Sequence, residues 1–419
     1  MVKTLQQLSD AYHDLYYVED KVLFPLIISM VIGAKLNAPP VWLFVIGGTS
    51  AGKSTALSVL YGVDYVTLVS DLTPNTFLSG MKVAGKETSL LKKLGNNFVV
   101  IMKDFTTMIS KDDASKQQVI AQMREIYDGH ISKETGNGQR VEWGSKEKPW
   151  KGMFIMAATE GIYKIQSEFA DMGTRAINYV LPQQDERKSA KAALKNKRNH
   201  EASGAKLAEL QKDVAEFVHY MIAHAPLEFA PIPEQLEDDI ISVAMLAERG
   251  RSVVDRTYQG EVNLALSAGM PMRMSEQLMA LAQFMMYVNG GELSEDMRKA
   301  VFKVAFDSIP KQRKLILEIA GKYRRTDIVA IAQMINYPHG VVRKWVEDLN
   351  MFKILDRTND GRREVWTIRD EYRDTLQRFF DIQPVDEDLF SGDAPMGAEE
   401  SWEEKEARIA AELAFSQQL

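Results

Sequence analysis

Apolar positions along this chain follow two rhythms. Between residues 41 and about 182 they form short runs at 41–46, 64–69, 98–103, 153–158 and 177–181, separated by polar or helix-patterned stretches. Runs of that length and spacing predict the strands of an open α/β sheet, a fold whose strand ends carry chemistry. From 204 to 309 the apolar spacing becomes helical, with breaks around Pro231, Pro233, Gly269 and Pro271. Residues 1–37 read as a helical preface ending at Pro39-Pro40, which either packs on the α/β part or meets a neighbouring subunit. Residues 311–369 show three short helical segments, then β-prone pieces at Lys353-Ile354-Leu355 and Val365-Trp366-Thr367-Ile368 around a basic turn with Asp360-Gly361 at its bend. That order predicts a winged helix-turn-helix. The domains expected are therefore an N-terminal helical segment (1–38), an α/β core (39–185), a basic linker with a helical region (186–309), a winged helix (310–380) and an acidic extended tail (381–419).

Composition narrows the function classes. A chain of 419 residues has room for two or three structural units. Its formal charge of -7 argues against a uniformly basic nucleic-acid coat, so local charge decides. Six lysines or arginines lie within 187–198, whereas 381–406 holds ten acidic residues and one lysine. The absence of cysteine excludes disulfides, thiolate metal sites and cysteine nucleophiles. No apolar stretch approaches about 18 residues, which predicts a cytoplasmic protein with no membrane partner. Met270, Met272, Met274, Met279, Met285 and Met286 read as core filler.

The sharpest motif is Gly47-Gly48-Thr49-Ser50-Ala51-Gly52-Lys53-Ser54, directly behind the apolar run Val41-Trp42-Leu43-Phe44-Val45-Ile46. It reads as a P-loop, whose backbone N–H groups turn inward at a helix start to bind phosphates. Gly47 and Gly52 permit the close turn, Lys53 reaches the terminal phosphates, Ser54 coordinates magnesium and Thr55 begins the helix. ATP and Mg2+ are the ligands expected. The strand Phe98-Val99-Val100-Ile101-Met102 delivers Asp104, the acid expected to hold magnesium-bound water. Phe105 follows it, so no glutamate stands next to that acid; Glu125 and Asp128 are the substitutes within reach of the pattern. The strand around Met153-Phe154-Ile155-Met156 brings Thr159 and Glu160 to the same sheet end, where they suit a γ-phosphate sensor, Thr159 being better placed.

Together with Gly173-Thr174-Arg175 before the last strand and Pro271-Met272-Arg273 in the helical region, these residues resemble AAA+ ATPases, most of all the helicase-like branch with MCM proteins and ATPases of phages and mobile elements. The resemblance covers about residues 40–290, and a winged helix often follows in that branch. It implies an AAA+ core with a helical lid, Arg175 as an arginine finger reaching a neighbour's γ-phosphate, and Arg273 as a second sensor. Arginine suits both roles through its permanent charge and rigid fork of donors. It also implies a ring-like homo-oligomer, with six subunits the expected closed number, in a bacterial, phage or mobile-element setting. Phe105 and Met272 depart from the family pattern and leave the catalytic base open.

Two features point to DNA. Residues 129–141 read as a hairpin with a Gly136-Asn137-Gly138 tip bearing Lys133 and Arg140, either gripping a phosphate backbone in a channel or simply solvated. Its place between the Asp104 and Thr159 strands predicts a short mechanical path from the γ-phosphate to the tip. In the winged helix, Arg343 and Lys344 lie on the recognition helix (about 340–350), and Arg357, Arg362 and Arg363 on the wing, though such modules also bind proteins. The function expected is an ATP-driven DNA motor, a helicase or replication-associated translocase; the alternative is an ATP switch that binds DNA or recruits a replication protein. The tail reads as a solubilising end, a partner hook or a competitor for the basic patches.

Overall fold

The five apolar runs form one parallel sheet in the computed structural model, which describes residues 2–391 apart from 50, 81, 84–85, 135–137, 139, 166–174, 227, 230, 258–261, 266–267 and 362. Ser50, Gly173, Thr174, Arg362, most of the hairpin tip and the tail from 392 therefore lie outside the described residues. The strands are β1 (Trp42–Ile46), β2 (Val66–Val69), β3 (Phe98–Met102), β4 (Gly152–Ala158) and β5 (Ala176–Val180), in the spatial order β2-β3-β4-β1-β5. Every residue of β1, β3 and β4 is buried, as a parallel sheet covered on both faces requires. Each start lies within two residues of the sequence expectation.

The chain divides into two compact units, Met1–Glu248 with Gly269–Ser308 and Arg249–Ala268 with Ile309–Leu419. In the first, the helix Asp113–Tyr127, capped by Asp112 on the Ser115 N–H, turns Val119, Ile120, Met123 and Ile126 inward onto the sheet's apolar face. Edge strand β5 is closed by side chains. Ser308 Oγ accepts from Asn178 N at 2.9 Å, Asp307 Oδ2 accepts from Val180 N at 2.8 Å, and Lys303 Nζ donates to Val180 O at 2.6 Å. Those bonds leave little edge for a stray strand to pair with.

The N-terminal preface packs on its own core. Helix Leu5–Leu15 starts with a Thr4/Gln7 capping box, and all of helix Leu23–Gly33 is buried. A β-carbon at Gly33 would lie 2.4 Å from the Phe284 ring, so glycine there lets this helix approach helix Met272–Val288. Asp20, buried between the two preface helices, accepts from the Tyr179 hydroxyl of β5 at 2.8 Å.

In the second unit, helices Lys311–Lys322, Ile328–Ile335 and His339–Met351 precede an antiparallel pair, Leu355–Asp360 and Arg363–Ile368, and helix Asp370–Phe379. Trp366 is buried among them and Trp345 packs on Tyr337. Segment 249–268, which the sequence pattern places with the helical region, instead joins this unit and forms a short pair, Val254–Arg256 with Val262–Ala265. Buried Asp348 holds it there, accepting from Arg256 at 2.5 Å and from Arg313 at 2.8 Å, while Arg313 also donates to the Gly250 carbonyl. Among the described residues, no helix is long and apolar enough to cross a membrane.

Candidate functional site

The glycine-rich loop leaves β1 at the point where strand order reverses, with β4 on one side and β5 on the other, the place where open α/β sheets form a ligand crevice. The Gly47 N–H donates to Ala158 O at 3.2 Å, tying the loop to the carboxyl end of β4. Gly52 adopts φ 84°, a left-handed turn that favours glycine, and caps helix Lys53–Ser58. Lys53 folds back over the loop, donating to the carbonyls of Gly47 at 2.7 Å and Gly48 at 2.6 Å. Burial lowers its pKa from the ordinary lysine value, and the Asp104 charge opposes that shift. Gly48, Thr49 and Ser54 are exposed, with Ala51 and Thr55 half-buried.

Asp104 stands just past β3 and caps the short turn Phe105–Ser110, accepting from Thr106 N at 2.8 Å. Thr106 was not singled out in the sequence, yet it bridges two strands. Its Oγ1 accepts from the Thr159 N–H at 3.1 Å and lies 3.3 Å from the Thr159 hydroxyl. A hydroxyl two residues after a strand-end aspartate was its only sequence signal. Phe105 is fully buried and packs edge-on against Phe44, with centroids 5.1 Å apart, so that position faces the core and not the loop.

Glu125, considered in place of the missing glutamate, is not brought to the loop. It is exposed in the last turn of helix Asp113–Tyr127, which begins at the carboxyl end of the sheet and ends at its amino end. Twelve residues of helical rise put it roughly 18 Å beyond the helix start. Asp128 lies further on. Two carboxylates, Glu160 and Glu186, share a cleft of about 680 Å³ with Gly47, Gly48, Thr49 and Ala51. Leu181, Gln183 and Gln184 form another wall, and Ser189, Ala190 and Ala193 of helix Glu186–Arg198 close the far side.

No protein-family model and no curated protein matches the chain. Among solved structures it is similar to the A form apo structure of the NrS-1 C-terminal region, at 11% identity over 88% of this chain and 77% of that chain, with a TM-score of 0.26.

Arg175 and Arg273 meet at the opposite end of the sheet. Arg175 immediately precedes β5, whose pairing with β1 runs from Trp42↔Ala176 to Ile46↔Val180, so the length of a strand separates it from its own glycine loop. Its side chain, 11% exposed, donates to Asp128 Oδ2 at 2.7 Å. Arg273, 46% exposed, approaches the other oxygen of Asp128 at 3.8 Å. The two arginines thus share one carboxylate within a single subunit.

The expected hairpin is present as Ile131–Glu134 paired with Arg140–Trp143. It is rooted at the amino end of the sheet: Trp150 N donates to Gly129 O at 2.9 Å, and Trp143 Nε1 donates to Gly95 O ahead of β3. The path from the hairpin to the glycine-loop end of the sheet is not short, because the seven residues of β4 intervene, a span of roughly 20 Å. Lys133 donates to Asn75 Oδ1 at 2.7 Å, and Arg140 lies 3.3 Å from Glu142.

In the second unit, Glu364 accepts from Arg343 at 3.0 Å and also from Arg357. Lys344 is exposed, and Arg363 lies 3.7 Å from Asp327. Arg343 and Lys344 lie on a helix, with Arg343 also 3.9 Å from Glu347 of that helix, and Arg357 and Arg363 lie on the hairpin that carries Glu364.

Proposed function

We propose that this chain is a magnesium-dependent P-loop ATPase of the AAA+ helicase-like type, working as a DNA motor. The observation that carries the proposal is Lys53 closing over a left-handed glycine loop at the carboxyl end of β1, with Asp104, Thr106 and Thr159 on the next two strand ends. Phosphate oxygens would replace the Gly47 and Gly48 carbonyls as acceptors for Lys53, while loop N–H groups and the helix start hold the phosphate chain. The 680 Å³ cleft has the size of a small-molecule site and takes the nucleoside, with Gln183 and Gln184 supplying polar contacts.

Ser54 and Asp104 fit a magnesium ion. Among the described residues no group of three or more His, Asp or Glu gathers as a closed metal site. Magnesium commonly takes one or two protein ligands and fills its octahedron with phosphate oxygens and water, so this sparse donor set suits it. When bound, the ion neutralises charge between the outer phosphates. Thr159 donates a hydrogen bond toward the outer phosphate from a position fixed by Thr106, and Glu160 orients the attacking water. Helices Glu234–Arg251, Met272–Val288 and Glu295–Phe306 supply the lid, and the three helices with the hairpin of the second unit form the winged helix.

The burial of Arg175 on Asp128 favours a second reading, an ATP switch that recruits a partner without translocating. Steady-state hydrolysis tests the site itself. Lys53→Ala lowers nucleotide affinity and activity, and Asp104→Asn removes Mg2+-supported turnover while keeping some ATP binding. Parental rates in both variants would reject the site. Displacement of a strand from a forked duplex with ATP, and not with a non-hydrolysable analogue, separates motor from switch.

A further inference from the structure

The start of the acidic tail is an ordered, extended segment held by backbone hydrogen bonds. Residues 385–391 run beside the turn between helices Lys311–Lys322 and Ile328–Ile335, where Val385 N donates to Lys322 O at 2.8 Å and Leu389 N to Arg325 O at 2.8 Å. Arg324 N donates to Glu387 O at 2.9 Å in return. Thr326 forms isolated bridges to Leu389 on one side and Trp366 on the other, so the segment is tied to the hairpin through Thr326. Leu389, 3% exposed, anchors it, and Ser391 N donates to Asp327 Oδ2 at 2.7 Å.

Over this segment lie the guanidinium groups of Arg324, Arg325 and Arg363. Arg324 grips Asp388 with two donors, at 3.1 and 3.2 Å, and Arg325 Nε reaches the same carboxylate at 2.9 Å. Arg324 also lies 3.8 Å from Asp386, and Arg325 lies 3.3 Å from Asp360. Arg363 and Arg325 flank the Phe390 ring, with the guanidinium carbons 4.5 and 5.5 Å from its centroid. Asp327 lies 3.7 Å from Arg363. Arg325 first and Arg324 second hold the Asp388 carboxyl down to about 2, so it stays anionic at any working pH.

We propose that residues 386–391 are a displaceable phosphate mimic on a DNA-backbone-binding face made by Arg324, Arg325 and Arg363, so that the protein carries its own competitor for DNA. A two-donor arginine grip on a carboxylate is also the grip on a phosphate. The outer pair is solvent-facing, with Arg324 58% and Asp386 93% exposed, and such a pair holds weakly against a polyanion, while Asp388, 14% exposed, sits deeper under both arginines. The competitor is also extended in sequence, since 392–406 adds six acids against Lys405 alone. The inference rests on the DNA-binding part of the proposed function.

The test uses the full chain and labelled duplex and single-stranded oligonucleotides, with anisotropy read across a salt series and thermal melting followed in parallel. Asp386→Asn with Asp388→Asn is expected to tighten binding by roughly tenfold at low salt, with a salt slope steeper by about 2 as phosphates replace the carboxylates. Adding Arg324→Ala and Arg325→Ala is expected to abolish that gain. Asp386→Asn alone, at an exposed position that leaves the segment anchored, is expected to give a smaller gain. A folded double variant that binds no tighter than the parent overturns the shielding while leaving DNA binding intact. Absence of binding by parent and variants alike overturns both.

Discussion

Thr106 offers the most discriminating test of the proposed site, because its side chain makes no covalent or metal contact and acts only by position. Its hydroxyl accepts the Thr159 N–H at 3.1 Å and meets the Thr159 hydroxyl at 3.3 Å, while its own N–H donates to Asp104. Thr106→Val keeps the shape and deletes the acceptor. A half-buried N–H left without its partner costs about 1–2 kcal/mol. If that loss falls on the transition state, kcat drops about 5- to 30-fold. The KM for ATP stays near the parental value, since Lys53 and the loop are untouched. Thr106→Ser retains the oxygen and restores most of the rate. Steady-state ATP hydrolysis with Mg2+, alongside thermal melting, reads all three proteins. A Val variant turning over at the parental rate, or a Ser variant as slow as Val, would refute the positioning role.

Three further outcomes follow from the packing. At Gly144, φ is 67° and an added β-carbon would lie 2.0 Å from Gly129 O, so Gly144→Ala should loosen the hairpin root. It should cost at least about 2 kcal/mol and several degrees of melting temperature, and unchanged melting rejects the tight root. Burial, with Lys35 adding, pushes the Lys151 ammonium down to about 8 from 10.5 while it donates to the Gly33 and Ala38 carbonyls. The unfolded chain then binds more protons above pH 8, so stability should rise between about pH 8 and 9.5, below the range where buried tyrosines act oppositely. Urea midpoints measure this, and a slope that Lys151→Met leaves unchanged assigns it elsewhere. Finally, if Arg175 leaves Asp128 to complete a neighbour's site, mixing inactive Arg175→Ala and Lys53→Ala proteins should restore activity at about one site in four. No recovery in an assembled mixture would keep Arg175 as an internal brace.

Periodicity and one motif made the core legible. Runs such as 98–102 and 153–158 are apolar at every position because both sheet faces are covered, as a buried parallel strand requires. The glycine loop was readable because Gly52 must take a left-handed turn and Lys53 must follow it. Asp104 and Thr159 could be placed because a strand end fixes which residue emerges from the sheet.

What the sequence determined, then, was local: which segments are strands or helices, and which side chains stand at the carboxyl end of the sheet. Tertiary structure alone decided which of them meet. Glu125 and Asp128 follow closely on the Asp104 strand in sequence, but the helical rise carries both to the opposite end of the sheet. Asp128 there gathers Arg175 and Arg273, 47 and 145 positions away along the chain. Glu364 of the hairpin accepts from Arg343 of a preceding helix, and Asp388 accepts from Arg324 and Arg325, 64 and 63 positions before it, because the fold sets those acids beside them. Charge partners depend on distance through space, and a linear pattern encodes that distance only within one helix or one hairpin.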